Sequence, residues 1–345
     1  MATLYITEQG ATLAKIDDRI VIRKGRKVLE EIPAIKLDQI VIFGNANFTT
    51  PAIKFILEKG IDVAYLSSRG IYRGRLQPEL AKDARLRRRQ YEKSLDLGFR
   101  LALSKQLVSG KLRNMLALCR RHQRSRKQKQ KQKQRQKQKD KDKELGAQLR
   151  TLERLARKVA SAEGLEELRG YEGAASAAYY RAFRGLLRQD LGFERRNHRP
   201  PRDPVNALLS LGYTLLYNNV CGLINIVGLD PYQGFFHEPK RGHAALASDL
   251  MEEWRPVIVD PLVLSMINRG ELSKGDFRWI RGQVRLTREG LERFLRRYDS
   301  RLAARVFYPR LKMKTSYYRC LEFQVRHLAD LLLDREKSYQ PFHLR

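Results

Sequence analysis

The pattern of apolar residues changes near residue 77, and this change constrains the fold more than any other feature of the sequence. Before it, turn signals separate short β-branched and aromatic runs, namely Leu4–Ile6, Arg19–Arg23, Gln39–Phe43 and Asp62–Leu66. From Asp83 onward, apolar residues recur at helical spacing and β-branched runs become rare. The sequence therefore predicts an α+β protein, with a small N-terminal β-rich domain at residues 1–77 and a larger all-α domain at residues 83–345.

One segment interrupts the strand pattern of the first domain. Thr50 is predicted to cap a short helix in which Pro51 takes the first helical position and Gly60 follows the end. Residues 1–77 contain no catalytic constellation. Strands with solvent-exposed edges more often pack or pair with a second subunit, and we expect that role here.

The charge of the chain indicates the class of its partners. Lys and Arg number 69 against 38 Asp and Glu, which gives a net charge of +31 and a pI near 10.3. Such a surplus attracts polyanions, so nucleic acid is the first candidate partner and an anionic membrane surface the second. No stretch has the apolar length that we expect of a bilayer-crossing segment, and the N-terminus does not resemble a signal peptide.

The three cysteines, Cys119, Cys221 and Cys320, are far apart in the sequence. They match neither a zinc pattern nor a disulfide framework. We therefore expect reduced thiols in a cytoplasmic protein that does not engage a membrane.

Two basic segments leave their roles open. The arginines 87–89 cannot all point inward from one helix, so they form either a solvated face or a phosphate-binding surface. Residues 120–143 read RRHQRSRKQKQKQKQRQKQKDKDK, a low-complexity run that matches no core-forming period. We expect disorder or an exposed, frayed helical extension there. It either adds salt-sensitive attraction to nucleic acid or is a tolerated insertion between two helices.

The rest of the chain reads as helices with one β-excursion. Asp203–Pro204 is predicted to open a helix, and Ala207–Ile226 reads as a buried core helix. Further predicted elements are helices at Leu149–Ala162, Val257–Asn268, Leu291–Tyr298 and Tyr317–Leu333, and short strands at Asp276–Ile280 and Val284–Thr287.

The stretch Asp230–Pro256 carries the strongest chemical signal. His237 follows two aromatic residues on a loop, and Asp249 and Glu252 lie three residues apart on the helix predicted to begin near His243. That spacing places both carboxylates on one helix face. Oxygen ligands with at most one imidazole suit Mg²⁺ or Mn²⁺, and such an ion can polarise a scissile phosphate.

Each of these residues also has an ordinary explanation. A lone histidine is more often a hydrogen-bonded structural residue, and acids at this spacing are more often solvated. Glu172, placed near a helix start among small residues, is by itself more often an acid that complements the helix dipole.

Other reaction classes lack their motifs. The sequence has no GxxxxGK[ST] or GxGxxG motif after a strand, so nothing indicates nucleotide hydrolysis or a dinucleotide cofactor. It has no serine in a nucleophile elbow.

Four motifs, in order along nearly the whole chain, carry a family resemblance. They are Tyr171–Ala175, Asp203–Leu209 with Gly212–Tyr213, Gly228–Pro231 running to Gly234–His237, and Leu246–Glu253 with Arg255–Pro256. The chain resembles the CRISPR-associated integrase and endonuclease of the spacer-acquisition step, the first CRISPR-associated protein family. The resemblance implies an N-terminal β-domain used for homodimerisation and an all-α catalytic domain.

The resemblance also implies a site and a reaction. The metal ligands would be Glu172, His237 and Glu252, with Asp249 as an alternate ligand or a support for a ligand. The implied cofactor is Mg²⁺ or Mn²⁺, and the reaction is attack of a 3′-hydroxyl of spacer DNA on a phosphodiester of the CRISPR repeat, together with endonuclease activity. The implied partners are DNA, a second copy of the chain, and the small second CRISPR-associated acquisition protein. Residues 120–143 depart from the family pattern and inherit no role.

A competing hypothesis makes the protein a non-catalytic, basic nucleic-acid-binding scaffold. Its histidine and acids would then be structural, and its DNA binding would depend on salt but not on metal.

Overall fold

The computed structural model describes residues 2–68, 72–77, 84–129, 136–197 and 200–344, with the side chains at 2, 125–129 and 136–142 left out of the description. The predicted helix start at Asp83 and the turn at 69–70 lie outside the described residues. Strands come first and a mainly helical region follows, as the apolar pattern predicts.

Eight strands form two four-stranded sheets in the N-terminal region. The strands are β1 (Ala2–Ile6), β2 (Ala11–Ile16), β3 (Arg19–Lys24), β4 (Lys27–Pro33), β5 (Leu37–Phe43), β6 (Ala46–Phe48), β7 (Asp62–Leu66) and β8 (Tyr72–Leu76). The first sheet has the order β4-β3-β2-β6 and the second the order β1-β5-β7-β8, in which β1, β5 and β7 run parallel and β8 runs antiparallel.

Strand β5 shows how the second sheet joins the two regions. Its side chains alternate between faces, so Ile40 and Ile42 enter the core of the N-terminal region while Val41 and Phe43 enter the large core of the helical region. Both faces are therefore covered, which explains why the sequence of β5 is continuously apolar from Ile40 to Phe43.

Helix α1 (Thr50–Glu58) lies between β6 and β7. Thr49, one residue before the predicted cap, accepts a hydrogen bond from the Ala52 amide at 3.3 Å, and Pro51 lies in the first turn. The helix is as predicted, but its cap is Thr49 rather than Thr50.

The helical region contains nine α-helices within the described residues: α2 (Ala84–Leu95), α3 (Leu97–Lys129), α4 (Gln136–Ser161), α5 (Leu165–Leu186), α6 (Pro204–Val227), α7 (Ala245–Met251), α8 (Asp260–Asn268), α9 (Arg288–Ala303) and α10 (Tyr317–Leu332). Two hairpins interrupt it, β9 (Phe277–Ile280) with β10 (Gln283–Leu286), and β11 (Arg305–Tyr308) with β12 (Met313–Ser316). The first hairpin matches the predicted β-excursion. The expectation of an all-α region was too simple, because the second hairpin was not predicted.

Helix α6 is the core helix of this region. Its start agrees with the sequence, because the Asp203 side chain accepts from the Asn206 amide at 2.9 Å and Pro204 is the first helical residue. By length and composition this helix could also cross a membrane, so the expectation that no stretch is apolar enough was wrong. However, 83% of its apolar window is buried inside the protein, as in the core helix of a soluble protein.

Two helix starts differ from the prediction. Helix α5 begins at Leu165, so Glu172 lies in its interior rather than at its start, and Glu166 and Glu167 are the acids of its first turn. Helix α4 begins at Gln136 rather than near Leu149. In the Lys/Gln segment, α3 continues to Lys129 and α4 begins at Gln136. These parts therefore form the helical extension rather than a disordered segment. Residues 130–135 lie outside the described part of the chain.

The segment after α7 is irregular in a way that positions the site. The helix begins at Ala245 and ends at Met251; a 3₁₀ turn (Glu252–Trp254) and a π-helical turn (Arg255–Val259) then lead into α8. Pro256 has no amide hydrogen to donate to the carbonyl of Glu252, so a regular α-helix cannot continue here. Helix α3 packs against this irregular segment and against α5.

Candidate active site

His237 is held by the buried carboxylate of Asp249. The His237 Nδ1 lies 2.7 Å from Asp249 Oδ1, and the His237 amide donates to the same oxygen at 2.8 Å. The other oxygen, Oδ2, accepts from the amides of Phe235 at 2.6 Å and Phe236 at 3.0 Å. Because Asp249 already accepts three backbone hydrogens, the proton of the ring contact belongs on Nδ1, which leaves the lone pair of Nε2 directed away from Asp249.

This arrangement excludes the explanation of Asp249 as a solvated acid on a helix face. The side chain is fully buried and hydrogen-bonded at both oxygens, so it is not a solvated acid. Gly234 permits the close approach, since a Cβ there would lie 2.9 Å from Asp249 Oδ2 and 2.8 Å from the Ala245 Cβ. Asp249 therefore supports the loop and the ring of His237.

The pKa of His237 reflects the same neighbours. Burial lowers it, but the hydrogen bond to Asp249 and the negative charges of Asp249 and Glu252 outweigh burial, so the pKa lies above its ordinary value. The charge of Glu252 thus contributes to the pKa of His237, although Asp249 is the hydrogen-bond partner of the ring.

Glu172 and Glu252 meet at the ammonium of Lys111. Lys111 lies on α3, and its Nζ donates a short hydrogen bond to Glu172 Oε1 and lies 2.6 Å from Glu252 Oε2. Glu252 Oε1 lies 3.1 Å from Arg255 Nη1. Burial raises the pKa of Glu252, but Arg255, Lys111 and His237 outweigh it and bring the pKa to about 2. Glu252 is therefore ionised across the physiological range.

The donors suit a divalent cation in their chemistry. Two carboxylates and one imidazole are the ligand types expected for Mg²⁺ or Mn²⁺. Glu252 Oε2 is buried and, although close to Lys111, has no partner in hydrogen-bond geometry among the described residues. The Glu172 side chain is 21% and that of His237 33% exposed, so both are accessible from solvent.

The three predicted ligands do not form a finished metal site. Within the part of the chain that the structure describes, no three His, Cys, Asp or Glu side chains are close enough together to hold one ion. Lys111 lies where the two carboxylates meet. The assignment of Glu172, His237 and Glu252 as ligands stays a prediction.

A buried polar cluster contacts Arg255 through the ring of Tyr213. Asp260 accepts hydrogen bonds from the hydroxyls of Tyr179, at 2.6 Å, and Tyr213. The Arg255 guanidinium stacks 4.9 Å from the centre of the Tyr213 ring. Burial raises the pKa of Asp260 to about 6, against the opposing effect of the two tyrosine hydroxyls. Tyr213 and Arg255 lie in the four motifs, whereas the sequence analysis gave no role to Tyr179 and Asp260.

A second buried cluster ties the C-terminal tail to the residue next to Glu252. The carboxylate of Glu253 accepts from the Tyr339 hydroxyl at 2.8 Å, the Gln324 amide at 3.1 Å and the Phe342 backbone at 2.8 Å. Asn114, on α3, bonds the Glu253 and Phe342 carbonyls. Burial raises the pKa of Glu253 to about 7. The tail thereby fixes the segment that presents Glu252 toward α3.

Lys111 is the site residue that the sequence analysis missed. It continues the buried stripe of α3 formed by Leu107, Asn114 and Leu118. A lysine in such a stripe was the available signal, because a buried ammonium needs a partner.

The arginines at 87–89 are engaged within the chain. Arg88 and Arg89 pair with Glu92 at 3.2 Å and 3.0 Å, and Arg89 also pairs with Asp334. These contacts do not decide between a solvated face and a phosphate-binding surface.

Comparison with known proteins identifies the family. Residues 4–300 match the family model described as CRISPR associated protein Cas1. The chain belongs to the Cas1 family. The resemblance inferred from the four motifs is thereby confirmed.

Individual relatives cover nearly the whole chain. A CRISPR-associated endonuclease Cas1 of Thermus thermophilus is 37% identical over 99% of this chain and 95% of its own length. Among solved structures, a Cas6-RT-Cas1–Cas2 complex contains a chain 25% identical, with a TM-score of 0.81, over 99% of this Cas1 chain and 36% of that chain. A casposase bound to its integration product is 23% identical, with a TM-score of 0.82 over 99% of this chain and 93% of that one, and it shows likeness of fold alone.

Proposed function

We propose that this Cas1 protein is a Mg²⁺- or Mn²⁺-dependent DNA endonuclease and integrase that inserts spacer DNA into a CRISPR array. The observation that carries the proposal is the meeting of Glu172 and Glu252, 80 positions apart in the sequence, at one ammonium. The family membership and the 37% identical relative named an endonuclease support the reaction class.

The side chains of the site would divide the work as follows. Glu172, Glu252 and Nε2 of His237 would hold the divalent cation, which when bound polarises the scissile phosphate and lowers the pKa of the attacking hydroxyl. Asp249 keeps the Nδ1 proton in place and so keeps Nε2 available as a ligand. Arg255 keeps Glu252 ionised and would add positive charge near a scissile phosphate bound at the site.

The substrate and partners follow from charge and family. A net charge of +31 favours DNA as the substrate, both the double-stranded spacer precursor and the CRISPR repeat. The solved Cas6-RT-Cas1–Cas2 complex supports the small second acquisition protein as a partner. We expect a homodimer joined through the N-terminal sheets, acting in the cytoplasm without a membrane.

The test is strand joining on a repeat-bearing plasmid with the small partner protein, with Mn²⁺ or EDTA present. His237→Ala should abolish joining while DNA binding and the melting temperature stay near those of the wild type. The matched control is His122→Ala, since His122 lies on α3 about 16 Å along the helix from Lys111. Joining that persists in EDTA would contradict the metal dependence, and joining by His237→Ala at the wild-type rate would contradict the site assignment. Salt-dependent DNA binding by the wild type with no joining in Mn²⁺ would favour the non-catalytic scaffold instead.

A further inference from the structure

Lys111 places a positive charge where the two predicted carboxylate ligands converge. The side chain is only 3% exposed, and its Nζ contacts both Glu172 Oε1 and Glu252 Oε2, the latter at 2.6 Å. A divalent cation bound to the same two oxygens would lie about 2.1 Å from each of them. That position overlaps the space that Nζ fills, so the ammonium and the cation exclude each other.

The electrostatics explain why the chain has a lysine there. Two carboxylates whose oxygens converge on one point repel each other strongly when no positive charge lies between them. The Lys111 ammonium contacts one carboxylate oxygen of each acid and so offsets that repulsion. Arg255 pairs with the opposite oxygen of Glu252 and leaves Oε2 to Lys111.

The backbone around Lys111 makes its position specific. Gly110 packs against the C-terminal tail, and a Cβ there would lie 2.4 Å from the Pro341 Cβ. The neighbouring turn of α3 is bonded to the tail through Asn114. This close packing holds the Cα of Lys111, so Nζ can leave the carboxylates only by rotation of its own flexible four-carbon side chain.

We propose that Lys111 is a tethered counter-ion that occupies the cation position between Glu172 and Glu252 in the metal-free protein and competes with the divalent cation for it. The proposal rests on the proposed function, since it takes these two acids as metal ligands. It makes metal binding an exchange of one cation for another rather than the filling of an empty site. The metal-free protein thereby keeps its two acids together at the cost of weaker metal affinity.

Thermal unfolding measured in EDTA and across a Mn²⁺ titration tests the exchange without relying on activity. Lys111→Met should melt several degrees below the wild type in EDTA, because the carboxylates then repel each other. It should bind Mn²⁺ about tenfold more tightly, because the competing charge is gone. Lys105→Met removes the same charge from another position on α3 and should behave as the wild type does.

A double variant separates charge from packing. Lys111→Met combined with Glu172→Gln removes the repulsion and should recover most of the stability lost in EDTA, whereas simple loss of packing predicts additive losses. Lys111→Arg keeps the charge and should retain the wild-type Mn²⁺ affinity or bind more weakly. Unchanged or weaker Mn²⁺ binding by Lys111→Met, or additive losses in the double variant, would overturn the proposal.

The same titration distinguishes the two levels of failure. If Mn²⁺ stabilises the wild type but Lys111→Met no more strongly, only the counter-ion proposal fails. If Mn²⁺ stabilises neither protein, and Glu252→Gln responds as both do, the metal site itself fails and the counter-ion proposal fails with it.

Discussion

Asp249 shows how one residue sets the chemistry of another. Both of its carboxylate oxygens accept hydrogen bonds from the loop that carries His237, and one of them lies 2.7 Å from the His237 ring nitrogen. We predict that Asp249→Asn slows joining roughly 10- to 100-fold, as is typical for residues that orient a metal ligand. The reason is that an amide has one acceptor oxygen, and its NH₂ group would face either the Nδ1 proton or a backbone amide.

The Asp249→Asn experiment measures the joining rate as a function of Mn²⁺ together with the melting temperature. A buried N–H left without an acceptor also costs about 1–3 kcal/mol of stability. Asp230→Asn is the matched control, because Asp230 bonds Tyr91 and the Tyr232 amide rather than the site. An Asp249→Asn protein with wild-type joining at every Mn²⁺ concentration would show that the ring needs no such orientation.

The residue scale also shows where sequence reasoning stopped. Spacing alone put Asp249 and Glu252 on one helix face, but α7 ends at Met251 and the two acids have different partners. The cause is Pro256, whose effect on the preceding turn was visible in the sequence but was not used. Lys111 was missed although its place in the apolar stripe of α3 was visible in the sequence, because its partners Glu172 and Glu252 lie on other elements.

At the scale of elements, α10 and the C-terminal tail form a pH-sensitive contact. His327 is fully buried, and its Nε2 accepts from the Gln340 amide at 2.9 Å. Burial, and then the charge of Arg310, lowers the pKa of His327 to about 4. The unfolded chain therefore binds a proton between pH 6.5 and 4 that the folded protein does not, so this contribution to stability is lost as the pH falls through that window.

We predict that His327→Gln flattens the acid side of the stability profile. Glutamine offers an acceptor to the Gln340 amide and does not titrate. The wild type should lose up to about 3 kcal/mol more than the variant as the pH falls from 7 toward 4. Melting temperatures of both proteins at several pH values give the difference in their pH dependence. The buried acids Glu253 and Asp260 are present in both proteins, so their contributions cancel in this difference. Parallel profiles would contradict the assignment.

Some elements follow from sequence and others depend on tertiary contacts. The start of α6 was predictable because Asp203 and Pro204 provide both the cap and the fixed backbone angle locally. The start of α5 was not, because Gly164 precedes it without any side-chain cap. The hairpin of β11 and β12 was missed for a similar reason, since its strands are only four residues long and carry no clear alternation.

At the scale of the whole molecule, a buried polar network fixes the N-terminal sheet on α6. Asp62 is paired with Arg75 at 2.7 Å and accepts from Gln39 at 2.9 Å. Gln39 in turn accepts from Asn219 at 2.7 Å, and Asn219 accepts from Tyr298 at 2.8 Å. The network connects β5, β7 and β8 with α6 and α9, so the orientation of the two regions is set by hydrogen bonds as well as by the shared core.

We predict that Asp62→Ala lowers the free energy of unfolding by about 3–5 kcal/mol, because it leaves the Arg75 guanidinium buried without its partner. The double variant Asp62→Leu with Arg75→Met should lose much less, since it removes both charges and retains volume. Urea unfolding followed by circular dichroism measures both. Equal losses in the two variants would show that packing, not charge pairing, dominates this interface.

The order of the four motifs predicted the family of the whole molecule, because it is a property of the sequence itself. The partners inferred from charge and family stay a prediction. The convergence of Lys111, Glu172 and Glu252 could not be predicted from the sequence in that way. It depends on α3, α5 and the segment after α7 meeting around Lys111, a contact that joins residues 111, 172 and 252.

The central claim is that Glu172, His237 and Glu252 bind one divalent cation. Crystals of the protein grown with Mn²⁺ and measured at an anomalous wavelength test it most directly. The account predicts one strong anomalous peak about 2.1 Å from a carboxylate oxygen of Glu172 and of Glu252 and near Nε2 of His237, with Nζ of Lys111 displaced. A peak elsewhere, or no peak while Nζ still bridges the two carboxylates at millimolar Mn²⁺, would contradict it.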